Sequence, residues 1–233
     1  MPCMPRALLW GAFLAVGATT AGLAASGASA QDRISAAETL LFQTDHLKNV
    51  APATTLSYAF RKTGSAESGF DDTVELRVRA VDGAKSVSVA FFTGERTIPY
   101  PEVTRAEGNP VLLSFLERDI REMQRLTGGK SGYFRRSIRL ALARSAKVAR
   151  TRLSFAGREL AAREVTITPY IEDPLKDRIG KYASKTYVFT LSDGVLGGVH
   201  SVRTFVPSPG GTPNEAPLLE ERLTIAAATR AKS

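Results

Sequence analysis

Apolar and polar positions alternate residue by residue over much of the chain. From Thr55 to Arg61, Leu56, Tyr58 and Phe60 fall on one face and Thr55, Ser57 and Ala59 on the other, which is the period of a strand. Val74, Leu76, Val78 and Ala80 alternate with Thr73, Glu75, Arg77 and Arg79. After the Asp82-Gly83 turn signal the pattern returns through Val87, Val89 and Phe91. A short strand is expected from Glu95 to Tyr100. Tyr133 to Arg144 fits either period, and the alternation of Ile138, Leu140 and Leu142 with Ser137, Arg139 and Ala141 favours a strand. Arg150–Phe155 and Glu159–Thr168 read as a hairpin turning at Ala156-Gly157. Lys185–Leu191 and Gly198–Val206 read as another, and Leu218–Ala227 as the last strand.

Other stretches follow the helical period. Ser35-Ala-Ala-Glu38 is a capping box that starts a helix with Leu40, Leu41, Thr44 and Leu47 on one face, ended by Pro52. A longer helix begins at Asn109-Pro110, an N-cap followed by proline at the first helical position, and ends at Gly128-Gly129. Its apolar stripe is Leu112, Phe115, Leu116, Ile120, Met123 and Leu126. The opposite face carries Glu117–Arg121 and Arg118–Glu122 pairs at i,i+4. The stripe either packs on a sheet or roofs an apolar cavity. Asp173-Pro174 opens a short helical turn through Lys181. The fold class is therefore mainly β (α+β): a strongly curved antiparallel sheet or half-barrel of about nine strands, with one long inserted amphipathic helix and an N-terminal helix. A closed barrel is the alternative.

The start of the chain has a different character. Arg6 is the only charge in residues 1–30, an apolar stretch runs from Ala7 to Val16, and small residues end at Ala28-Ser29-Ala30. That order is a bacterial-type secretory signal peptide with cleavage after Ala30. A retained anchor is the alternative, but the apolar run is short and interrupted by glycine for a stable span. Residues 31–233 are then one β-rich domain, and the periplasm is the expected compartment. Cys3, the only cysteine of the 233 residues, lies in the removed segment, so no disulfide framework is available.

Charge is uneven. The chain has 31 Lys+Arg against 23 Asp+Glu, and residues 130–163 hold ten of the basic side chains with Glu159 as their only acid. Arg135, Arg136, Arg139, Arg144, Lys147, Arg150 and Arg152 are the candidates for an anion-facing surface; a solvated sheet face is the plain alternative. Export makes nucleic acid an improbable partner. An anionic membrane surface or an acidic protein partner fits the compartment better.

Catalytic signals are weak. His46 and His200 stand in no metal-ligand spacing, there is no Gly-x-Ser-x-Gly elbow, and Asp71-Asp72 and Glu172-Asp173 read as turn residues. No cofactor, metal site or enzymatic activity is expected.

The signal peptide, the disulfide-free curved sheet and the inserted helix together resemble, in order of elements, the LolA/LolB-like periplasmic lipoprotein-carrier half-barrel. Phe42-Gln-Thr-Asp-His-Leu47, Gly108-Asn-Pro-Val-Leu-Leu113 and Lys185-Thr-Tyr-Val-Phe-Thr-Leu-Ser-Asp193 are also similar to segments of proteobacterial exported proteins. The resemblance implies a non-enzymatic carrier for an apolar or amphipathic ligand, such as a lipid or lipoprotein acyl chain, held between sheet and helix. Phe91, Phe115, Leu116, Met123 and Phe189 would then line the space, or be plain core. A cell-envelope interaction or assembly module without a cavity is the competing expectation.

Overall fold

In the computed structural model, residues 34–210 and 215–231 are described; the expected signal segment lies outside them. Nine strands form one antiparallel sheet: β1 (Thr54–Thr63), β2 (Phe70–Val81), β3 (Ala84–Phe91), β4 (Ile98–Pro99), β5 (Lys147–Phe155), β6 (Arg158–Ile167), β7 (Thr186–Leu191), β8 (Val199–Val206) and β9 (Leu219–Arg230). Their spatial order is β4-β3-β2-β1-β9-β8-β7-β6-β5. Two meanders thus run outward from a seam at which the first strand pairs with the last. The sheet does not close, and β4 and β5 are its edges. Bulges between Ser57 and Tyr58 and between Thr190 and Leu191 add the local bending that a curved sheet needs.

Register explains which face is buried. Phe60 lies opposite Leu223, Leu223 opposite Val202, Val202 opposite Phe189, and Phe189 opposite Val165. This row crosses five strands, and every member is at most 1% exposed. Since side chains directly across a ladder share a face, the row sets the inner side of the whole sheet.

The helices come mostly from one crossover. Between β4 and β5 the chain makes α2 (Val111–Thr127) and α3 (Ser131–Arg144). Asn109 Oδ1 accepts from the Val111 N–H at 3.1 Å, and Gly128, at φ +71°, ends α2 with its N–H on the Gln124 carbonyl. The N-terminal helix α1 (Ala36–Glu38) starts at Ser35 with the expected capping box and continues as π-helical turns over Thr39–Gln43. A short α4 spans Lys176–Ile179.

Two expectations are corrected. Tyr133–Arg144 is helix, so two helices are inserted in place of one. Phe134, Ser137, Ile138, Ala141 and Leu142 make its buried face at helical spacing. Arginine, leucine and alanine are strong helix formers, and a three-residue alternation is too short to outweigh them. Glu95–Tyr100 is a 3₁₀ turn, Gly94–Arg96, followed by the two-residue β4. Pro99 and Pro101 have no N–H to extend a ladder.

Candidate functional site

The five expected cavity residues are all buried in one apolar core: Phe91 on β3, Phe115, Leu116 and Met123 on α2, and Phe189 on β7. The Phe91 ring packs against those of Phe92 and Tyr100, with centroids 4.7 and 5.7 Å away. None of the five lines the clefts at β5–β7, at the β5–β6 hairpin tip or at the end of α2.

The underside of α2 is partly ionic. Lys62 of β1, Arg118 and Asp119 of α2, Lys185 before β7 and Glu221 of β9 are each at most 6% exposed. Asp119 accepts from the Lys185 ammonium at 2.5 Å and from the Tyr187 hydroxyl at 2.6 Å, and the Tyr187 and Tyr170 hydroxyls are hydrogen-bonded at 3.0 Å. Burial, with the Asp119 charge beside them, pushes both phenols well above their ordinary range. Arg118 pairs with Glu221, while Lys62 bonds Glu67 and Glu122 at 2.7 Å each. Burial opposes ionisation of Glu122. Hydrogen bonds from Arg125 and Lys62 outweigh it and bring its pKa down to about 2. Arg118 and Glu122, an i,i+4 pair 4.0 Å apart on the polar face of α2, are therefore largely removed from solvent. The partners of these side chains come from β1, β7 and β9, so the helix periodicity alone does not register them.

His46 is also buried, at 4% exposure, and has a structural role. Its Nε2 lies 2.9 Å from the Leu40 carbonyl and must donate to it, so Nδ1 accepts the Asn109 N–H at 3.2 Å. Burial lowers its pKa. Asn109 goes on to donate to the Tyr58 hydroxyl and the Gly197 carbonyl. These contacts tie α1, the start of α2, β1 and the β7–β8 loop together. Gly198, at φ +71°, touches His46 so closely that a Cβ there would lie 2.8 Å from the ring. Asp71 and Asp72, expected in a turn, belong to β2 and are engaged by Arg61 and by Arg96. No cluster of His, Cys, Asp or Glu among the described residues could hold a metal ion.

The seven basic candidates are all exposed, but on two elements. Arg135, Arg136, Arg139 and Arg144 lie on α3, and Lys147, Arg150 and Arg152 on the edge strand β5. Arg135 is held by Glu117 through two hydrogen bonds of 2.9 and 2.7 Å, and Arg152 approaches Glu159 at 3.9 Å. The other five have no acidic partner within 4.0 Å among the described residues. Arg163, in the same basic run, lies directly opposite Arg150 across the β5–β6 ladder and is equally without an acid.

Arg150 and Arg163 open onto a cleft of about 570 Å³ between the α1 segment and the β5–β7 end of the sheet. Leu40, Leu160 and Leu191 supply apolar walls, and Thr44, Thr151 and Ser192 supply hydroxyls. Asp193 lies at the cleft but is paired with Lys48 at 2.8 Å. The β7–β8 loop that closes one side is pinned by the Ser192 hydroxyl donating to the Ala161 carbonyl at 2.8 Å. An apolar lining with two uncompensated guanidinium groups can receive an amphipathic anion. Both nitrogens of its one histidine, His46, are engaged in hydrogen bonds.

No protein-family model matches the chain, and no curated protein matches it in sequence. Solved structures similar to it include the lipoprotein LppX of Mycobacterium tuberculosis, at 10% identity and a TM-score of 0.32, covering 74% of this chain and 84% of that one. A LolA-superfamily protein from Nitrosomonas europaea is 11% identical with a TM-score of 0.23, covering 84% of this chain and 94% of that one. A putative outer membrane lipoprotein-sorting protein domain from Vibrio parahaemolyticus is 8% identical with a TM-score of 0.22, covering 76% of this chain and 84% of that one. The second is named for the LolA superfamily, whose element order the sequence resembles. Likeness at these scores carries no weight on what this chain binds.

Proposed function

We propose that this chain is a non-enzymatic binding or carrier protein of the cell envelope, exported to the periplasm, for an apolar or amphipathic ligand such as a lipid or a lipoprotein acyl chain. The observation that carries this reading is the cleft at the β5–β7 end of the sheet. Its volume, about 570 Å³, falls in the range of small-molecule sites, and its lining mixes leucines with arginines and hydroxyls. Longer acyl chains would need more room. The space they would enter is the inner face where Phe91, Phe115, Leu116, Met123 and Phe189 now pack. The ionic seam under α2 favours such opening, because a buried ion pair holds two layers together with little net free energy compared with apolar contact.

A second reading, an interaction or assembly module, is favoured by those same five residues being packed in a continuous core. The two separate in one experiment. Lipids extracted from the protein purified from cell envelopes are identified by mass spectrometry, and binding of a fluorescent fatty acid is titrated in parallel. The carrier reading expects a co-purifying amphipathic lipid and saturable probe binding that Ala161→Trp, which fills the cleft, abolishes. No co-purifying lipid and no probe binding would leave the interaction module.

A further inference from the structure

We propose that Arg150 and Arg163 form a phosphate-binding subsite in the β5–β7 cleft. The two residues are direct cross-strand partners on adjacent antiparallel strands, so their side chains leave the same face of the hairpin. Like charges in that position repel, and a hairpin that served only as scaffold would gain by replacing one of them. Neither guanidinium has an acidic partner among the described residues. Of the acids nearby, Asp193 is held by Lys48, Glu159 approaches Arg152, Glu164 lies across from Ala149 on the other face of the ladder, and Asp45, between the cleft-lining Thr44 and His46, lies more than 4.0 Å from either guanidinium. This sets the pair apart from the buried cations of the chain, each of which has its carboxylate.

Two guanidinium forks facing one opening match a phosphate better than a carboxylate. A carboxylate offers two oxygens and is filled by one fork, whereas a phosphate presents enough oxygens for both. The Thr44 and Thr151 hydroxyls line the same cleft but donate to the Thr39 and Arg152 carbonyls, so the donors for an anion are the arginines. Leu191 lies directly opposite Arg163 across the β6–β7 ladder, and Leu40 and Leu160 line the same cleft, so a phosphate that carries an apolar chain finds both kinds of contact there. In that respect the subsite deepens the carrier reading and rests on the same cleft, although inorganic phosphate alone would satisfy the arginines.

The test is calorimetric titration at low salt with three probes: inorganic phosphate, dihexanoyl phosphatidate, and dihexanoyl glycerol as the uncharged partner of the second. The subsite predicts that phosphatidate binds more tightly than dihexanoyl glycerol. It also predicts that Arg150→Gln combined with Arg163→Gln weakens both phosphate-bearing probes by about tenfold or more, the loss of two charge-assisted forks, and leaves dihexanoyl glycerol unchanged. Arg136→Gln, on α3 and away from the cleft, should leave all three as they are. The double variant should unfold at the same temperature or higher, since a repulsion is relieved; a merely structural pair would lower it.

Phosphatidate far above phosphate identifies a lipid headgroup as the source, and equal affinity identifies free phosphate. Phosphate binding that needs the arginines, with no binding of dihexanoyl glycerol, keeps the subsite and removes the carrier reading. Dihexanoyl glycerol binding as well as phosphatidate, or a double variant that retains anion binding, overturns the subsite and leaves the carrier reading standing. No binding of any probe overturns both.

Discussion

Two groups of charges in this molecule obey opposite rules. Under α2, Lys62, Arg118, Asp119, Lys185 and Glu221 are almost wholly removed from solvent, and each is matched by an opposite charge on another element. At the β5–β6 end, Arg150 and Arg163 are exposed, face each other and have no acid. Internal neutralisation marks the first group as part of the structure, because a buried charge is tolerable only when paired and hydrogen-bonded. The second group does nothing for the fold that an uncharged residue would not do better. The net positive charge of the sequence is thus not a uniform property. Its largest accessible concentration is on α3, β5 and β6.

The comparison is broken most severely by removing one member of the buried group. Asp119→Ala leaves the Lys185 ammonium and the Tyr187 hydroxyl without their acceptor inside the core and should cost ~3–5 kcal/mol. Urea unfolding of wild type and variant measures this; a change within the range of a surface pair would contradict the structural role.

Acid titration sharpens the same side. The Glu122 carboxyl is held at about 2 in the folded protein, against about 4.3 in an unfolded chain. A carboxyl depressed on folding stabilises the protein above the unfolded value. That contribution is lost as pH falls from about 4.3 toward 2, where the folded protein also takes up the proton. The stability gap between wild type and Glu122→Gln should therefore shrink over this interval, and parallel pH profiles would contradict the assignment.

His46 gives a smaller effect in a higher window. Its pKa is lowered by burial, so below about 6.5 the unfolded chain takes up a proton that the folded protein refuses. Stability then falls as pH drops through that range and levels off once the folded imidazole is protonated. His46→Gln should unfold with a shallower pH dependence between pH 7 and 5 in equilibrium unfolding experiments.

The smallest changes belong to the exposed group. Arg135→Gln breaks a two-hydrogen-bond pair with Glu117 at the surface and should cost no more than about 1 kcal/mol. Arg163→Gln should cost nothing, and thermal unfolding resolves the difference in sign.

Most strands were legible because their alternation is long and their turns are marked. Asp82-Gly83 and Ala156-Gly157 fall where the hairpins turn. The second turn also contains the Arg150–Arg163 pairing: with Phe155 opposite Arg158, stepping outward residue by residue brings the two arginines together. That signal was available in the sequence and needed only the register. The α3 segment reads as a strand because Ile138, Leu140 and Leu142 make a short alternation, whereas its buried face, with Phe134, Ser137, Ile138, Ala141 and Leu142, follows the helical period. The ionic seam was not legible, since Lys62, Lys185 and Glu221 reach α2 only through sheet order. The same holds for His46, whose partners Leu40 and Asn109 meet it through tertiary packing. The cleft likewise needs α1 and the β7–β8 loop to be folded onto β5–β7 before its walls exist.

The central claim is that an anionic headgroup binds this chain at the β5–β7 cleft and not at the seam under α2. Backbone amide chemical shifts followed during titration with dihexanoyl phosphatidate test it most directly. The account predicts saturable changes concentrated in residues 40–46, 150–163 and 191–198, absent in the Arg150→Gln, Arg163→Gln double variant. Changes centred on α2 and β1, or none at all, would contradict it.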